Sequence, residues 1–178
     1  REGRRAGTSM TSTGVDPGRR RRPLTTAAAV ALVVLVIDQV TKHLAVSRLS
    51  DGDVVHVVWT LQWNLAFNSG MAFGKAGGLG PFIGIAALVV AGVVLGAARK
   101  SPDLWVTVAA GLVAGGAIGN VIDRLFRGEA WMRGAVVDFI DFQWFPIFNV
   151  ADIGVDVGAG LFILWSLTRG RKKQDDVA

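Results

Sequence analysis

Residues 115–156 read GGAIGNVIDRLFRGEAWMRGAVVDFIDFQWFPIFNVADIGVD, and apolar runs lie on both sides of this stretch. It holds six carboxylates, which are Asp123, Glu129, Asp138, Asp141, Asp152 and Asp156. Ionisable groups at membrane depth are costly, so they need a partner or a function. We therefore interpret the rest of the chain as a frame that holds these carboxylates at a boundary between lipid and water.

The composition is typical of a small polytopic membrane protein. The chain has 178 residues, 51% of them hydrophobic, with a mean hydropathy of +0.44, which is more apolar than a soluble domain of this size needs. The sequence has no Cys, which excludes disulfides, thiolate metal sites and cysteine nucleophiles. It also lacks HExxH, GxSxG and P-loop motifs. His43 and His56 form no metal-like cluster, so we predict neither a metal nor a cofactor.

The positive charge is concentrated at three places along the chain. Thirteen of the 19 basic residues are Arg1, Arg4, Arg5, Arg19 to Arg22, Arg99, Lys100, Arg169, Arg171, Lys172 and Lys173. A nucleic-acid partner is not favoured, because no basic face interleaves with exposed aromatic residues. The same charges fit better as cytoplasmic anchors of membrane helices.

Four apolar stretches predict four transmembrane helices. They are approximately residues 24–45, 79–98, 104–122 and 150–167. The basic groups then place both termini in the cytoplasm, with a disordered basic tail at 1–22, a membrane domain at 23–169 and a C-terminal tail at 170–178. A cleavable signal peptide would also fit the start of the chain, but three further spans favour an uncleaved helix.

The two longer segments between the spans, residues 46–78 and 125–149, are expected on the outer face of the membrane. Val54–Leu61 is β-branched and aromatic and predicts a strand, which residues 62–67 can continue or return. A sheet cannot lie bare in lipid, so it should lie above the bilayer or against protein. Residues 125–149 form a second outer segment.

Polar residues on the predicted helices follow helical spacing. Asp38 and Lys42 are four residues apart, share a face and can pair near the outer interface. A simple interfacial ion pair with a snorkelling Lys and a catalytic role both remain open. Asn120, Asp123 and Arg124 also share one face.

Glycine recurs every fourth residue in the third predicted span. Gly111, Gly115 and Gly119 therefore lie on one face of that helix. Small residues on one face permit close approach of a neighbouring helix, so we predict that this ridge serves packing only.

Facing carboxylates favour the chemistry of an aspartyl protease. Two of them in a low-dielectric site cannot easily both ionise, so one holds a proton while the other takes a proton from water. The water then attacks an amide carbonyl that the protonated partner polarises. Spacing alone leaves the pair open among Asp38, Asp123, Asp138, Asp141, Asp152 and Asp156.

Two other functional classes compete with a protease. A carrier or channel with a proton relay predicts carboxylates near mid-membrane on several spans, whereas here they cluster at the outer helix ends. A structural or assembly protein would use the carboxylates as interfacial groups and would tolerate Asp→Asn exchange.

Five sequence blocks, in order, carry a family resemblance. They are Asp38-Gln-Val-Thr-Lys42, Asn68-Ser-Gly70-Met-Ala72-Phe73, Gly115-Gly-Ala-Ile-Gly119-Asn120-Val-Ile-Asp123-Arg124, Val136-Val-Asp138-Phe139 and Phe148-Asn149-Val-Ala151-Asp152. Each is weak alone, but the ordered set between four spans resembles the lipoprotein signal peptidases, or signal peptidase II. The resemblance covers nearly all of residues 24–169.

The resemblance implies an α-helical integral membrane protein with four transmembrane helices, a small extracytoplasmic β-cradle and a segment on the membrane surface. It implies an aspartyl endopeptidase of the bacterial cytoplasmic membrane, active near the outer face, that cleaves diacylglyceryl-modified prolipoproteins just before the lipidated Cys. The implied partners are those signal peptides, membrane lipid and globomycin-type cyclic peptide inhibitors, with no nucleic acid.

By motif position, the resemblance places the catalytic dyad at Asp138 and Asp152. The residues that would line or support the site are Asn68, Gly70, Asn120, Asp123, Arg124, Asn149, Ala151, Asp38 and Lys42. The sequence departs from the family pattern at Asp156, where a small or hydroxyl residue is expected. Asp156 could raise the proton affinity of the dyad by like-charge repulsion, pair elsewhere, or face another helix.

Overall fold

The computed structural model describes residues 17–70, 79–101 and 103–175, and the side chains of residues 24–70, 79–101 and 103–168. Seven elements follow in chain order: α1 (Pro17–Leu49), β1 (Val54–Val58), β2 (Leu61–Asn68), α2 (Gly80–Lys100), α3 (Leu104–Phe126), β3 (Val136–Asp141) and α4 (Val150–Asp175). Each of the four helices contains a stretch long and apolar enough to cross a membrane, as the sequence predicts.

The terminal helices extend beyond the predicted spans. α1 begins at Pro17, so residues 17–22 are helical where the sequence predicts a disordered tail, and α4 continues to Asp175. Proline suits the first turn of a helix, and Arg, Lys and Gln are good helix formers, so the basic flanks can prolong both helices. The remainder of the predicted tails, residues 1–16 and 176–178, lies outside the described residues.

Helix α3 is the centre of the membrane domain and packs against α1, α2 and α4. Its glycine ridge faces α1, as predicted for a packing surface. A Cβ at Gly115 would lie 2.6 Å from the carbonyl oxygen of Ala31, and one at Gly111 would lie 2.7 Å from that of Ala27. Only a residue without a side chain allows this approach, so the ridge sets the α1–α3 separation.

The start of α3 is fixed by Asp103. Its carboxylate accepts a hydrogen bond from the Trp105 backbone N–H at 3.0 Å, which caps the helix. The indole Nε1 of Trp165 donates to the other carboxylate oxygen at 2.8 Å. This contact holds the far part of α4 against the beginning of α3, at the end of the bundle away from the sheet.

The three strands form an antiparallel sheet in the order β1-β2-β3. β2 returns along β1 after a turn at Trp59, whose φ of 53° is left-handed, so of the two possibilities left by the sequence the chain adopts the return. In the β2–β3 register, Ala66 pairs with Asp138. Phe139 and Ile140 pack with Ala45 and Leu49 at the end of α1, which anchors the sheet to the helices.

Candidate active site

Asp138 lies in β3, a strand whose six residues are all buried. Asp138 is 3% exposed, so this carboxylate, which follows the apolar run Ala135-Val136-Val137, is buried. Asn149 Nδ2 donates to Asp138 Oδ1 at 2.6 Å and Asn68 Nδ2 donates to Asp138 Oδ2 at 3.1 Å. Burial raises the pKa of Asp138 to about 6, and the nearby Asp152 charge adds to the rise, although the amide hydrogen bonds oppose it.

Asp152 lies in the first turn of α4, where it forms a reciprocal cap with Asn149. The Asn149 backbone N–H donates to Asp152 Oδ2 at 3.2 Å, and the Asp152 backbone N–H donates to Asn149 Oδ1 at 3.0 Å. This is the arrangement of a capping box, with Asn as the cap and Asp three residues later. A carboxylate there is also stabilised by the positive end of the helix dipole.

Two asparagines join Asp138 and Asp152 into one network. Asn149 Nδ2, which donates to Asp138, also donates to Asn120 Oδ1 at 3.2 Å. Asn120 Nδ2 in turn donates to Asp152 Oδ1 at 2.8 Å. The two carboxylates, 14 positions apart and on different elements, are therefore held in fixed relation by neutral amides.

A buried ion cluster lies beside this network. Lys42 Nζ is 2.9 Å from Asp38 Oδ2 and 2.8 Å from Asp123 Oδ2, and all three side chains have no exposed surface. The predicted pairing of Asp38 with Lys42 is confirmed. The alternative of a snorkelling Lys is wrong, because the second carboxylate from α3 holds the ammonium inside the bundle.

The ion cluster fixes the elements that carry the two carboxylates. Asp38 Oδ1 accepts from the Ala151 backbone N–H at 2.9 Å, at the start of α4. Asp123 Oδ2 accepts from the Val137 backbone N–H at 3.2 Å, in β3. Lys42 Nζ also donates to Asn120 Oδ1 at 2.9 Å. A displacement of this cluster would therefore move both sides of the site.

Two further polar side chains, to which the sequence analysis gave no role, complete the cluster. Gln39 Nε2 donates to Asp38 Oδ2 at 3.1 Å and to the Gly119 carbonyl at 3.2 Å. Arg127 Nε lies 2.8 Å from Asp123 Oδ1. The i, i+4 spacing of Asp123 and Arg127 was available from the sequence as a signal, whereas the Gln39 contact to α3 was not.

A cavity of about 870 Å³ opens beside the network. Its lining comes from the end of the sheet, from α2, α3 and α4, and from the loop before α4, and includes Asn68, Gly70, Asn120, Arg124, Phe148, Asp152 and Asp156. Asp152 therefore meets the cavity directly. Asp138 lies behind Asn68, to which it is hydrogen bonded.

Gly70 lines this cavity and has a backbone conformation that favours glycine. Its φ is +86°, and a Cβ would lie 2.9 Å from the backbone nitrogen of Gly80. The Gly70 N–H donates to Asn68 Oδ1 at 3.0 Å, which orients the amide of Asn68 toward Asp138. The predicted residues Met71, Ala72 and Phe73 of the same block lie outside the described residues.

Arg124 contributes an incompletely bonded guanidinium to the cavity wall. The side chain is 6% exposed, and its Nη1 donates to the Asn120 carbonyl at 3.1 Å. Within the described residues, its Nε is a buried donor without a hydrogen-bond partner. A buried donor of this kind is costly unless another acceptor reaches it.

Asp141, the other carboxylate of β3, does not belong to this network. It accepts from Gln62 Nε2 at 2.7 Å and from Asn64 Nδ2 at 2.9 Å, both in β2. These hydrogen bonds, that from Asn64 foremost, lower its pKa. Asp141 is therefore ionised and links β2 to β3. We exclude it from the six carboxylates considered for the catalytic pair.

Within residues 17–70, 79–101 and 103–175, no group of three metal-ligating side chains is found. A second cavity, of about 330 Å³, lies between the end of α1 and the sheet and has an apolar lining that includes Leu44, Trp63 and Phe139 but no carboxylate. Of these two cavities, only the larger one is lined by carboxylates.

Comparisons with known proteins agree with this arrangement. A model of the family described as signal peptidase (SPase) II matches residues 30–168. The lipoprotein signal peptidase of Mycobacterium leprae (strain Br4923) is 42% identical over 173 residues, covering 91% of this chain and 83% of that protein. That of Mycobacterium avium (strain 104) is 40% identical over 179 residues, covering 95% of each chain.

Solved structures show the same architecture. A bacterial membrane enzyme determined by the in meso method at 2.3 Å resolution superimposes with a TM-score of 0.71 and 32% sequence identity. The match covers 84% of this chain and 92% of that enzyme. The four helices and the small sheet are therefore a fold already seen in a bacterial membrane enzyme.

Proposed function

The chain belongs to the signal peptidase II family, and from that premise we propose that it is an aspartyl endopeptidase in which Asp138 and Asp152 activate water. The family acts on lipoprotein precursors and removes their signal peptides. The four apolar helices make the chain a multi-pass protein of the bacterial inner membrane. The proposal concerns the residues that do the chemistry, the bond that is cleaved and the side of the membrane.

The observation that carries the proposal is the amide link between Asp138 and Asp152. Asn149 Nδ2 lies 2.6 Å from Asp138 Oδ1, while the same residue caps the turn that contains Asp152. Neutral donors hold the two carboxylates near each other without neutralising either charge. The raised pKa of Asp138, about 6, is what a proton-holding member of such a pair requires.

The two environments support different roles for the two carboxylates. Asp138 is buried in the sheet, which disfavours its ionised form, so it holds the proton. Asp152 is at the first turn of α4, lines the cavity, and accepts from the Asn149 backbone N–H and from Asn120. These hydrogen bonds favour its ionised form. Asp152 is the general base and Asp138 the general acid.

The reaction then proceeds in two proton-balanced steps. Asp152 takes a proton from a water molecule, whose oxygen attacks the scissile carbonyl carbon while Asp138 gives its proton to the carbonyl oxygen. The tetrahedral intermediate collapses when Asp138 takes that proton back and Asp152 delivers its proton to the leaving nitrogen. The products are a signal peptide with a new carboxylate and a lipoprotein whose N-terminal Cys bears a free amine.

The surrounding residues position the substrate and the pair. Arg124 lines the cavity and places its positive charge beside a bound chain, and Asn68 and Gly70 shape the cavity beside Asp138. Asp38, Lys42 and Asp123 are positioning groups, because they hold the backbone of α4 and β3 through Ala151 and Val137.

The substrate is a prolipoprotein whose Cys carries diacylglycerol, cleaved immediately before that Cys. Apolar side chains at the cavity, such as Leu79, Ile83 and Ile153, let the substrate enter sideways from the bilayer. Lateral entry leaves the acyl chains in lipid, since each methylene moved into water costs about 0.8 kcal/mol.

Both termini lie in the cytoplasm and the site lies near the outer face, in agreement with the distribution of basic residues. Globomycin-type cyclic peptides would compete for the same cavity.

The test uses purified protein in detergent and a fluorescent diacylglyceryl lipopeptide. Asp138→Asn and Asp152→Asn should each lose cleavage while keeping the wild-type elution volume on size exclusion and a cooperative thermal transition. Asp141→Asn is the matched control, since it removes a buried carboxylate from the same strand outside the network, and it should cleave within a few-fold of wild type. Near-normal turnover by either dyad variant would show that this residue is structural. Asp123 would then be the next candidate for the catalytic carboxylate.

A further inference from the structure

Asp156 is a carboxylate in the membrane-spanning part of α4, one helical turn beyond Asp152. Its side chain is exposed and lines the 870 Å³ cavity. Among the side chains of residues 24–70, 79–101 and 103–168, none forms an ion pair or hydrogen bond with it. The partner elsewhere in the bundle that the sequence left open is therefore not supplied by these side chains.

A carboxylate within the membrane-spanning part of a helix is expected to have a function. Ionisable side chains in membrane helices are expensive and normally face a water-filled cavity or a specific partner. The rest of the cavity wall around Asp156 is apolar, with Ile153 and Val155 on α4, Ile83 and Ala87 on α2, and Ala117 on α3. Among the described residues, the only cation on that wall is Arg124. It donates to the Asn120 carbonyl and lies more than 4.0 Å from the Asp156 carboxylate.

The position of Asp156 relative to Asp152 is set by helix geometry. Four residues of α-helix rise about 6 Å, a distance that about two residues of an extended chain span. The apolar part of a signal peptide crosses the bilayer, so a substrate with its scissile bond at Asp152 must run along α4 past Asp156. A substrate side chain roughly two residues before the scissile bond therefore comes opposite this carboxylate.

We propose that Asp156 is a specificity-determining residue that accepts a hydrogen bond from a hydroxyl side chain of the signal peptide, about two residues before the scissile bond. The inference rests on the function proposed above and deepens it. The exposed carboxylate of Asp156 becomes enclosed when an apolar peptide fills the cavity. A donor on the peptide then compensates for the lost hydration, whereas an alkyl side chain at that place leaves the carboxylate without a partner.

An uncharged donor is favoured over a cationic one. A Lys or Arg inside the apolar segment of the substrate would itself be costly to place in the membrane. A Ser or Thr hydroxyl is far less costly there and can still donate to a carboxylate. The preferred ligand chemistry is thus a small hydroxyl side chain at one position of an otherwise apolar peptide.

The experiment measures relative cleavage of matched lipopeptides by purified enzyme in detergent. The peptides differ only in carrying Ser or Ala at the second, third or fourth residue before the diacylglyceryl Cys. Wild type should show a ratio of kcat/KM for Ser over Ala of about tenfold at one of these positions, which is the range expected for one hydrogen bond to a charged acceptor. Asp156→Ala should reduce that ratio to near one.

Two further variants separate recognition from structure. Asp156→Asn keeps an acceptor oxygen and should retain part of the preference for Ser. Val157→Ala changes the neighbouring exposed residue, which does not line the cavity, and should keep the full wild-type ratio. Because the readout is a ratio between two substrates in one preparation, partial loss of folded enzyme does not alter it.

The outcomes distinguish this inference from the proposed function. If wild type cleaves none of the lipopeptides, the proposed protease function itself fails. If wild type cleaves them without a preference at any position, or if Asp156→Ala keeps the preference, the protease function stands and the role of Asp156 is overturned.

Discussion

Asn149 and Asp152 cap the first turn of α4 reciprocally, through N–H···O contacts of 3.2 Å and 3.0 Å between each backbone N–H and the other side chain. The same Asn149 side chain donates to Asp138. A residue of the proposed dyad thus also belongs to a helix cap, and its position is determined by helix formation itself. Mutations at this turn act on stability and on chemistry together, and the two effects need separate measurements.

The first prediction concerns Asn149. Asn149→Ser keeps a side-chain oxygen that can cap α4 but removes the donor to Asp138, so the rate should fall at least tenfold with little change in thermal stability. Asn149→Ala removes the cap as well and should cost a further ~1 kcal/mol of folding stability. Thermal unfolding in detergent and lipopeptide cleavage measure the two effects, and a Ser variant with the wild-type rate would contradict the role of the amide.

The second prediction concerns the pH dependence of cleavage. The pKa of Asp138 is raised to about 6, and the proposed mechanism needs its protonated form. Since ionisation removes that form, kcat/KM should fall about tenfold per unit of pH above the pKa. Substrate that fills the cavity deepens the burial, so the corresponding fall in kcat should lie at higher pH. A rate that rises through this range would exclude Asp138 as the acid.

The same titration affects stability, and the sign follows from the direction of the shift. The folded-state pKa lies above the unfolded value of about 3.9, so the unfolded chain releases its proton first as pH rises. Asp138 therefore lowers the stability of wild type progressively between about pH 4 and 6. Asp138→Asn, which cannot ionise, should gain thermal stability relative to wild type across that interval, and a pH-independent difference between the two would contradict the buried ionisation.

The third prediction tests the buried ion cluster. Lys42→Met leaves Asp38 and Asp123 fully buried without their shared cation, and loss of one partner of a buried pair costs about 3–5 kcal/mol. The variant should be recovered poorly as folded protein. Adding Asp38→Asn and Asp123→Asn to Lys42→Met should restore part of the yield, because no fully buried charge is then left without a partner. Arg127, which loses Asp123, keeps 30% of its side chain exposed to solvent.

The control for this series is Lys100→Met, which removes an exposed Lys at the end of α2. Folded yield is measured by size-exclusion chromatography in detergent. If Lys42→Met behaves like Lys100→Met, the cluster contributes little to folding.

The fourth prediction concerns the close approach of α1 and α3. A Cβ at Gly119 would lie 2.5 Å from Asp38 Oδ2, so Gly119→Ala must displace that carboxylate and, with it, the Ala151 N–H at the start of α4. We expect a loss of about 1–3 kcal/mol of stability together with slower cleavage.

Gly160→Ala is the matched control, since a Cβ there meets nothing within 4 Å. It should stabilise α4 by up to ~1 kcal/mol, as expected for Gly→Ala in a helix. Equal thermal midpoints for the two variants would show that the backbone of α1 adjusts freely.

Part of the site could be predicted from residue spacing. The i, i+4 spacing of Asp38 and Lys42 predicts their contact, because a helix places such residues on one face whatever surrounds it. The glycine ridge of α3 predicts a close helix neighbour for the same reason. Neither pattern indicates that Asp123 would complete the ion cluster or that Gln39 would bridge α1 and α3, because those contacts depend on the mutual rotation of two helices.

The sequence by itself determined the four spans, a strand early in the first outer segment and the concentration of carboxylates near one end of the bundle, since hydrophobic length and β-branched runs act locally along the chain. It left open whether residues 62–67 continue or return that strand. It did not determine whether Asp138 faced solvent or the interior, nor that Asp141 would bond to β2 rather than join the pair. Alternate residues of a strand point to opposite faces, and which faces become buried depends on what packs against them. Only the tertiary structure decided which side chains of β3 are buried, because β3 packs between β2 and the end of α1. The capped start of α4 lies beside β3, so Asn149 contacts both Asp138 and the turn that contains Asp152.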